Sequence, residues 1–114
     1  MNNTINIPEK LKPVLEDLTK ELKNLFSTKL KRIILYGSYA RGDYEKYSDV
    51  DLMILCDGPV NKVTKEIISD ISTRYLLENG FLLSILVNDE QYFNYWKDVM
   101  DLFVNVEKEG VVVL

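Results

Sequence analysis

Two short apolar runs joined by a polar loop, Lys31 to Tyr36 and Asp49 to Leu55, constrain this chain more than any other feature. Both runs are rich in β-branched and aliphatic residues and have the length of a strand, so both read as strands buried on their two faces. Between them Gly37, Gly42 and their polar neighbours leave room for one turn of helix and a loop. For Gly37-Ser38 at the end of the first strand to meet Asp49 at the head of the second, the pair must run antiparallel.

The rest of the chain reads as packing around that unit. From Pro8 to Phe26, Leu11, Val14, Leu15, Leu18, Leu22, Leu25 and Phe26 recur at helical spacing, with Pro13 tolerated only within a first turn. Val60, Val63, Ile67, Ile68, Ile71 and Leu76 mark a second long helix that Asn79-Gly80 ends. Phe81 to Val87 is a third strand, apolar except for Ser84. Asn88 is the expected N-cap of a helix carrying Tyr92, Phe93, Tyr95 and Trp96, with Asp89 and Glu90 in its first turn. A last helix, Asp101 to Lys108, stops near Gly110, and the tail VVVL is suited to a sheet edge or a partner. The helix between the second and third strands is long enough for a right-handed crossover, which makes those strands parallel. The expected class is α/β (α+β), a small mixed three-stranded sheet with helices packed on it, forming a single domain over 1–114.

Composition removes several kinds of chemistry. Hydrophobic residues make up 46% and charged residues 28% of the chain, so a packed core is affordable. The net charge of -4 argues against binding a nucleic-acid backbone, which needs clustered Lys and Arg. With no histidine, Ser-His-Asp triads, Cys-His dyads and His-based zinc sites are excluded. The lone Cys56 can form neither an internal disulfide nor a zinc cluster, suits a reducing compartment, and reads as a small buried hydrophobe. The opening MNNTINIPEK has neither the basic segment nor the apolar core of a signal peptide, and no stretch is long and apolar enough to cross a bilayer. The expected location is cytoplasmic.

The polar ends of the strand pair carry the chemistry. Residues i and i+2 of a strand share a face, so Asp49 and Asp51 project together. Two carboxylates about 5 Å apart repel by about 3 kcal/mol at an effective dielectric near 20, so a cation belongs between them. Hard oxygens on one rigid face suit Mg²⁺, with water and phosphate oxygens as the remaining ligands. A lone D-x-D is also common on solvated edge strands. Gly37-Ser38 supplies a tight turn with unobstructed backbone N–H groups and a hydroxyl, a natural anion site. Together the two motifs describe the halves of one metal-phosphate site. Arg41 lies in the same loop and can instead pair with Asp43 or Glu45, an exposed contact worth little. Tyr36, Tyr39, Tyr44 and Tyr47 surround the loop; some could stack on an adenine, and most read as packing.

The run G37-S38-Y39-A40-R41-G42-D43 followed by S48-D49-V50-D51-L52 strongly resembles the signature of the DNA polymerase β-like nucleotidyltransferase superfamily, in its minimal bacterial and archaeal branch. The order of elements agrees over nearly the whole chain, and the ending FVNVEKEGVVV is similar to that of many small members. The resemblance implies that Asp49 and Asp51 are catalytic and hold Mg²⁺. It implies that Gly37 and Ser38 hold the β- and γ-phosphates of ATP or another NTP, with Arg41 offsetting triphosphate charge or contacting the acceptor. Active members also carry a third carboxylate on the next strand, where this chain has FLLSILV; Glu78, Asp89 and Glu90 are not obvious replacements.

Members of this size are typically antitoxins whose partner is a HEPN-type ribonuclease toxin modified on a tyrosine. The resemblance therefore implies an enzyme that moves AMP to a hydroxyl of a protein partner, with self-association left open. The missing third acid supports a competing reading, a weak or inactive nucleotide-binding module that neutralises its partner by contact. The plainest alternative is an α/β domain whose acids are structural.

Overall fold

The computed structural model describes residues 7–114. Most of the opening segment read for a signal peptide lies outside the described residues. The first helix, α1 (Leu11–Phe26), takes Pro13 into its first turn, where a missing N–H costs nothing. It buries Leu11, Val14, Leu15, Leu18, Leu22 and Phe26 along one stripe, as its spacing predicts. Ser27 and a single 3-10 turn then lead into β1 (Leu30–Tyr36). After β1 come α2 (Ser38–Arg41), β2 (Val50–Cys56), α3 (Lys62–Asn79), β3 (Leu83–Asp89), α4 (Glu90–Trp96), α5 (Asp101–Glu109) and β4 (Val111–Val112).

The sheet has the order β3-β2-β1-β4. β1 and β2 are antiparallel and β2 and β3 parallel, as expected from the position of the polar loop and the length of the crossover helix. The expected three-stranded sheet is corrected to four. Part of the VVVL tail forms β4, pairing Val111 with Leu35 and Val112 with Ile34. Pairing satisfies backbone groups that would otherwise stand at the edge of β1.

Alternation along the strands divides the core into two layers. One face presents Ile33, Leu35, Leu52, Ile54 and Cys56 to α1 and to Ile68 and Tyr75 of α3. The other presents Ile34, Tyr36, Met53 and Leu55 to Phe93 of α4 and to Phe103 and Val106 of α5. The thiol of Cys56 is buried, as expected.

Three boundaries move. Asn61 caps α3, accepting a 2.8 Å hydrogen bond from the Thr64 N–H, so Val60 precedes the helix. β3 starts and ends later than the apolar run suggests, because its ladder with β2 continues to the pair Cys56 and Asp89. The N-cap of α4 is therefore Asp89, which accepts from the Gln91 N–H at 3.2 Å, and not Asn88. β3 is an edge strand and only half-buried, and α3 keeps Val63, Ile67, Leu76 and Leu77 largely outside the core. Among the described residues no helix is long and apolar enough to cross a membrane.

Candidate functional site

The site begins where β1 stops. Gly37 adopts φ 74° and ψ -156°, a conformation that an L side chain rarely tolerates. A second reason for glycine is spatial. A Cβ here would fall on Asp51 Oδ2, far inside van der Waals contact, and 3.1 Å from Asp51 Cγ. The turn therefore exists in order to let its backbone lie against the Asp51 carboxylate.

Behind Gly37 the chain makes one helical turn, with the Ala40 and Arg41 N–H groups donating to the Gly37 carbonyl at 3.1 and 3.0 Å. The first amides of such a turn have no carbonyl ahead of them in the helix and are free to meet an anion. Gly42, at φ 88°, reverses the chain, and Ser48 closes the loop by accepting from the Glu45 N–H at 2.7 Å. Asp49 is then delivered to the head of β2, exposed and just before the first ladder residue, Val50.

Asp51 stands one step further in, paired across the sheet with Tyr36 on one side and Ser84 on the other. Its carboxyl pKa is pushed up, first by burial and then by the negative charge of Asp49, while Arg41 opposes the shift. The charge of Asp49 is thus felt at Asp51, as expected of neighbouring carboxylates. Tyr36, its ladder partner, has its phenol pushed up to about 12 by burial and by Asp51, so a neutral hydroxyl group borders the acid.

The loop tyrosines divide as expected. Tyr36 and Tyr39 are buried, Tyr39 stacks on Tyr44 with centroids 4.4 Å apart, and only Tyr47 stands free in solvent. Arg41 pairs with Asp43 at 3.2 Å, one of the two loop partners anticipated. Its other partner comes from the far end of the chain. Glu109, the last residue of α5, accepts from Arg41 Nη1 at 3.1 Å and from the Gly37 N–H at 3.2 Å, both through Oε1. No local pattern marks this residue; the ending EKEG looks like an ordinary helix terminus until α5 is laid across the sheet.

Among the described residues no three His, Cys, Asp or Glu side chains gather as a metal cluster. Ser84 occupies the position beside Asp51 on β3, so the third strand contributes a hydroxyl there. The donor set still fits a hard divalent cation. Two carboxylates whose mutual repulsion a cation would relieve, beside a turn with backbone N–H groups at its start, would leave the remaining positions of such a cation to water and phosphate oxygens.

The chain is similar to known proteins. A family model described as a nucleotidyltransferase domain matches residues 15–105. Two Methanocaldococcus jannaschii proteins, the candidate protein adenylyltransferases MJ0604 and MJ0141, are 35% and 36% identical to this chain over 87% and 88% of its length, spanning 93% and 95% of their own. Among solved structures, a toxin-antitoxin complex with AMP-PNP contains a chain that superposes with a TM-score of 0.58 at 16% identity, over 87% of this chain and 72% of its own. A candidate nucleotidyltransferase of Sulfolobus solfataricus superposes with a TM-score of 0.52 at 23% identity, over 91% and 82%. At those identities the solved structures speak for the fold alone. With the matched segment spanning the turn, both acids and β1 to β3, the chain belongs to the nucleotidyltransferase domain family.

Proposed function

We propose that the chain is one minimal nucleotidyltransferase domain that transfers AMP from ATP to a hydroxyl on a protein partner. The observation that carries this reading is the seat of Asp51 against the Cβ-less Gly37, which joins the phosphate turn to the paired acids. Asp49 and Asp51 are the metal ligands and catalytic carboxylates. Mg²⁺ bound there supplies charge neutralisation and polarises the phosphates. The backbone N–H groups of the turn, from Gly37 onward, and the Ser38 hydroxyl hold the β- and γ-phosphates, and Arg41 offsets their charge. The acceptor hydroxyl attacks the α-phosphorus, a new O–P bond forms, the α–β bridging bond breaks and pyrophosphate leaves. Ser84 has no carboxylate to take the hydroxyl proton, so that base is drawn from the acceptor protein.

The relatives' description as protein adenylyltransferases supports a protein acceptor. A narrower reading, carried by the sequence resemblance and in keeping with toxin-antitoxin complexes among the fold neighbours, makes the chain the antitoxin and the acceptor a tyrosine of a HEPN-type toxin. The test is label transfer from α-labelled ATP and Mg²⁺ to the co-expressed neighbouring gene product. Transfer by the wild type that disappears in Asp49→Asn and Asp51→Asn is the expected result. A tight complex that forms with no label in the wild type would overturn it and establish the second reading, neutralisation by contact, which Ser84 in place of a third acid favours.

A further inference from the structure

Glu109 occupies an improbable place for an acid. Its carboxylate comes to the edge of a site already holding Asp49 and Asp51, and its charge adds to those pushing the Asp51 carboxyl up. What holds it there is the Gly37 N–H and the Arg41 guanidinium, both bonded to the single oxygen Oε1. The turn has recruited an anion from the chain itself. A phosphate oxygen approaching the same N–H would meet a carboxylate oxygen already in its position, and both carry negative charge.

The backbone around Glu109 is fixed on both sides. The Gly110 N–H donates to the Val106 carbonyl at 2.9 Å, and Val111 pairs with Leu35 of β1. The side chain itself is 24% exposed, which leaves it a path into solvent by rotation that requires no movement of α5 or β4.

We infer that Glu109 is an internal anionic ligand of the phosphate turn, holding Gly37 and Arg41 in the free protein and displaced when the phosphates of a nucleotide are seated. The inference rests on the assignment of Gly37 and Arg41 to phosphate binding. It makes Glu109 a determinant of nucleotide affinity that works against binding, in contrast to a residue that positions Arg41 for it.

The sign of the effect separates the two. Calorimetric titration of the full chain with ATP and Mg²⁺, and separately with pyrophosphate and Mg²⁺, is expected to give about tenfold tighter binding in Glu109→Gln and Glu109→Ala than in the wild type. Glu45→Gln, the same charge change at an exposed loop position, is expected to leave affinity unchanged and so removes a general charge effect. In the free protein, the Gly37 amide resonance is expected to move in Glu109→Gln. Equal or weaker binding in both Glu109 variants overturns the inference while leaving the nucleotide site intact, as does an unmoved Gly37 resonance. Equal tightening in Glu45→Gln overturns it as well. Absence of binding in the wild type and every variant overturns both the inference and the assignment beneath it.

Discussion

The two faces of the sheet are built from the same strands and finished differently. One is sealed along its length by α1 and α3, and Leu52, Ile54, Ile33 and Leu35 are inaccessible there. The other is covered by α4 and α5 around Ile34, Tyr36, Met53 and Leu55. Toward the Gly37 end, Asp51 and Ser84 on that face are half-buried, and Leu86 beside Met53 is 39% exposed. The contrast explains why acids can be kept in this fold at all. Fully sealed, a pair of carboxylates would lose its charge; at the open end of the second face they keep water within reach and room for a cation. Stability is concentrated on one face and the proposed chemistry on the other.

Substitutions can break that division. The largest effect is expected from Asp51→Asn, which removes a charge that the proposed nucleotidyl transfer uses and that folding tolerates. Transfer should fall by roughly 10²- to 10⁴-fold, while the melting temperature of the ligand-free protein stays level or rises, read by labelled-ATP assay and calorimetry on the same sample. A fall in both would mean that Asp51 belongs to the stabilising half after all.

Next is a matched pair of truncations. Leu52→Ala on the sealed face should cost about 2–5 kcal/mol in urea denaturation, whereas Leu86→Ala on the open face should cost under about 1 kcal/mol. Similar losses at the two positions would erase the distinction between faces.

Ser84→Asp sharpens it from the other side. A third carboxylate beside Asp51 should lower the melting temperature without metal, by about 1 kcal/mol in stability, and make the protein markedly more responsive to added Mg²⁺. If Mg²⁺ does not restore the loss, the acids at this end do not form a cation site.

The smallest effect lies on the sealed face, where Tyr75 donates from its hydroxyl to Glu21 Oε2 at 3.1 Å, beside the ion pair of Arg74 and Glu21. Burial, then Glu21, pushes the Tyr75 phenol up to about 12 from its ordinary value near 10. Between those values the folded protein keeps a proton that the unfolded chain gives up, so stability falls as pH rises through that window. Tyr75→Phe should flatten this alkaline limb, measurable as melting temperature from pH 9 to about 11.5. An unchanged limb would place its origin elsewhere.

What the sequence determined by itself was local. Strand-forming runs, the Gly-Ser turn, the spacing of Asp49 and Asp51, the helix stripe of α1 and the Asn79-Gly80 stop all depend on chemistry within a few residues. From these, even the antiparallel and parallel pairings followed, because loop length limits how consecutive strands can meet. The errors also have physical causes. The cap of α4 moved from Asn88 to Asp89 because ladder hydrogen bonds with β2 extended the strand past its apolar run. The tail became a fourth strand because β1 had an unfilled edge.

Only the tertiary structure could decide what distant elements bring to the site. Ser84 is placed opposite Asp51 by the register of a parallel pair separated by a whole helix. Glu109 reaches Gly37 because α5 crosses the second face and ends at the turn. Such contacts depend on where a helix terminates in space, and no spacing rule along the chain carries that information.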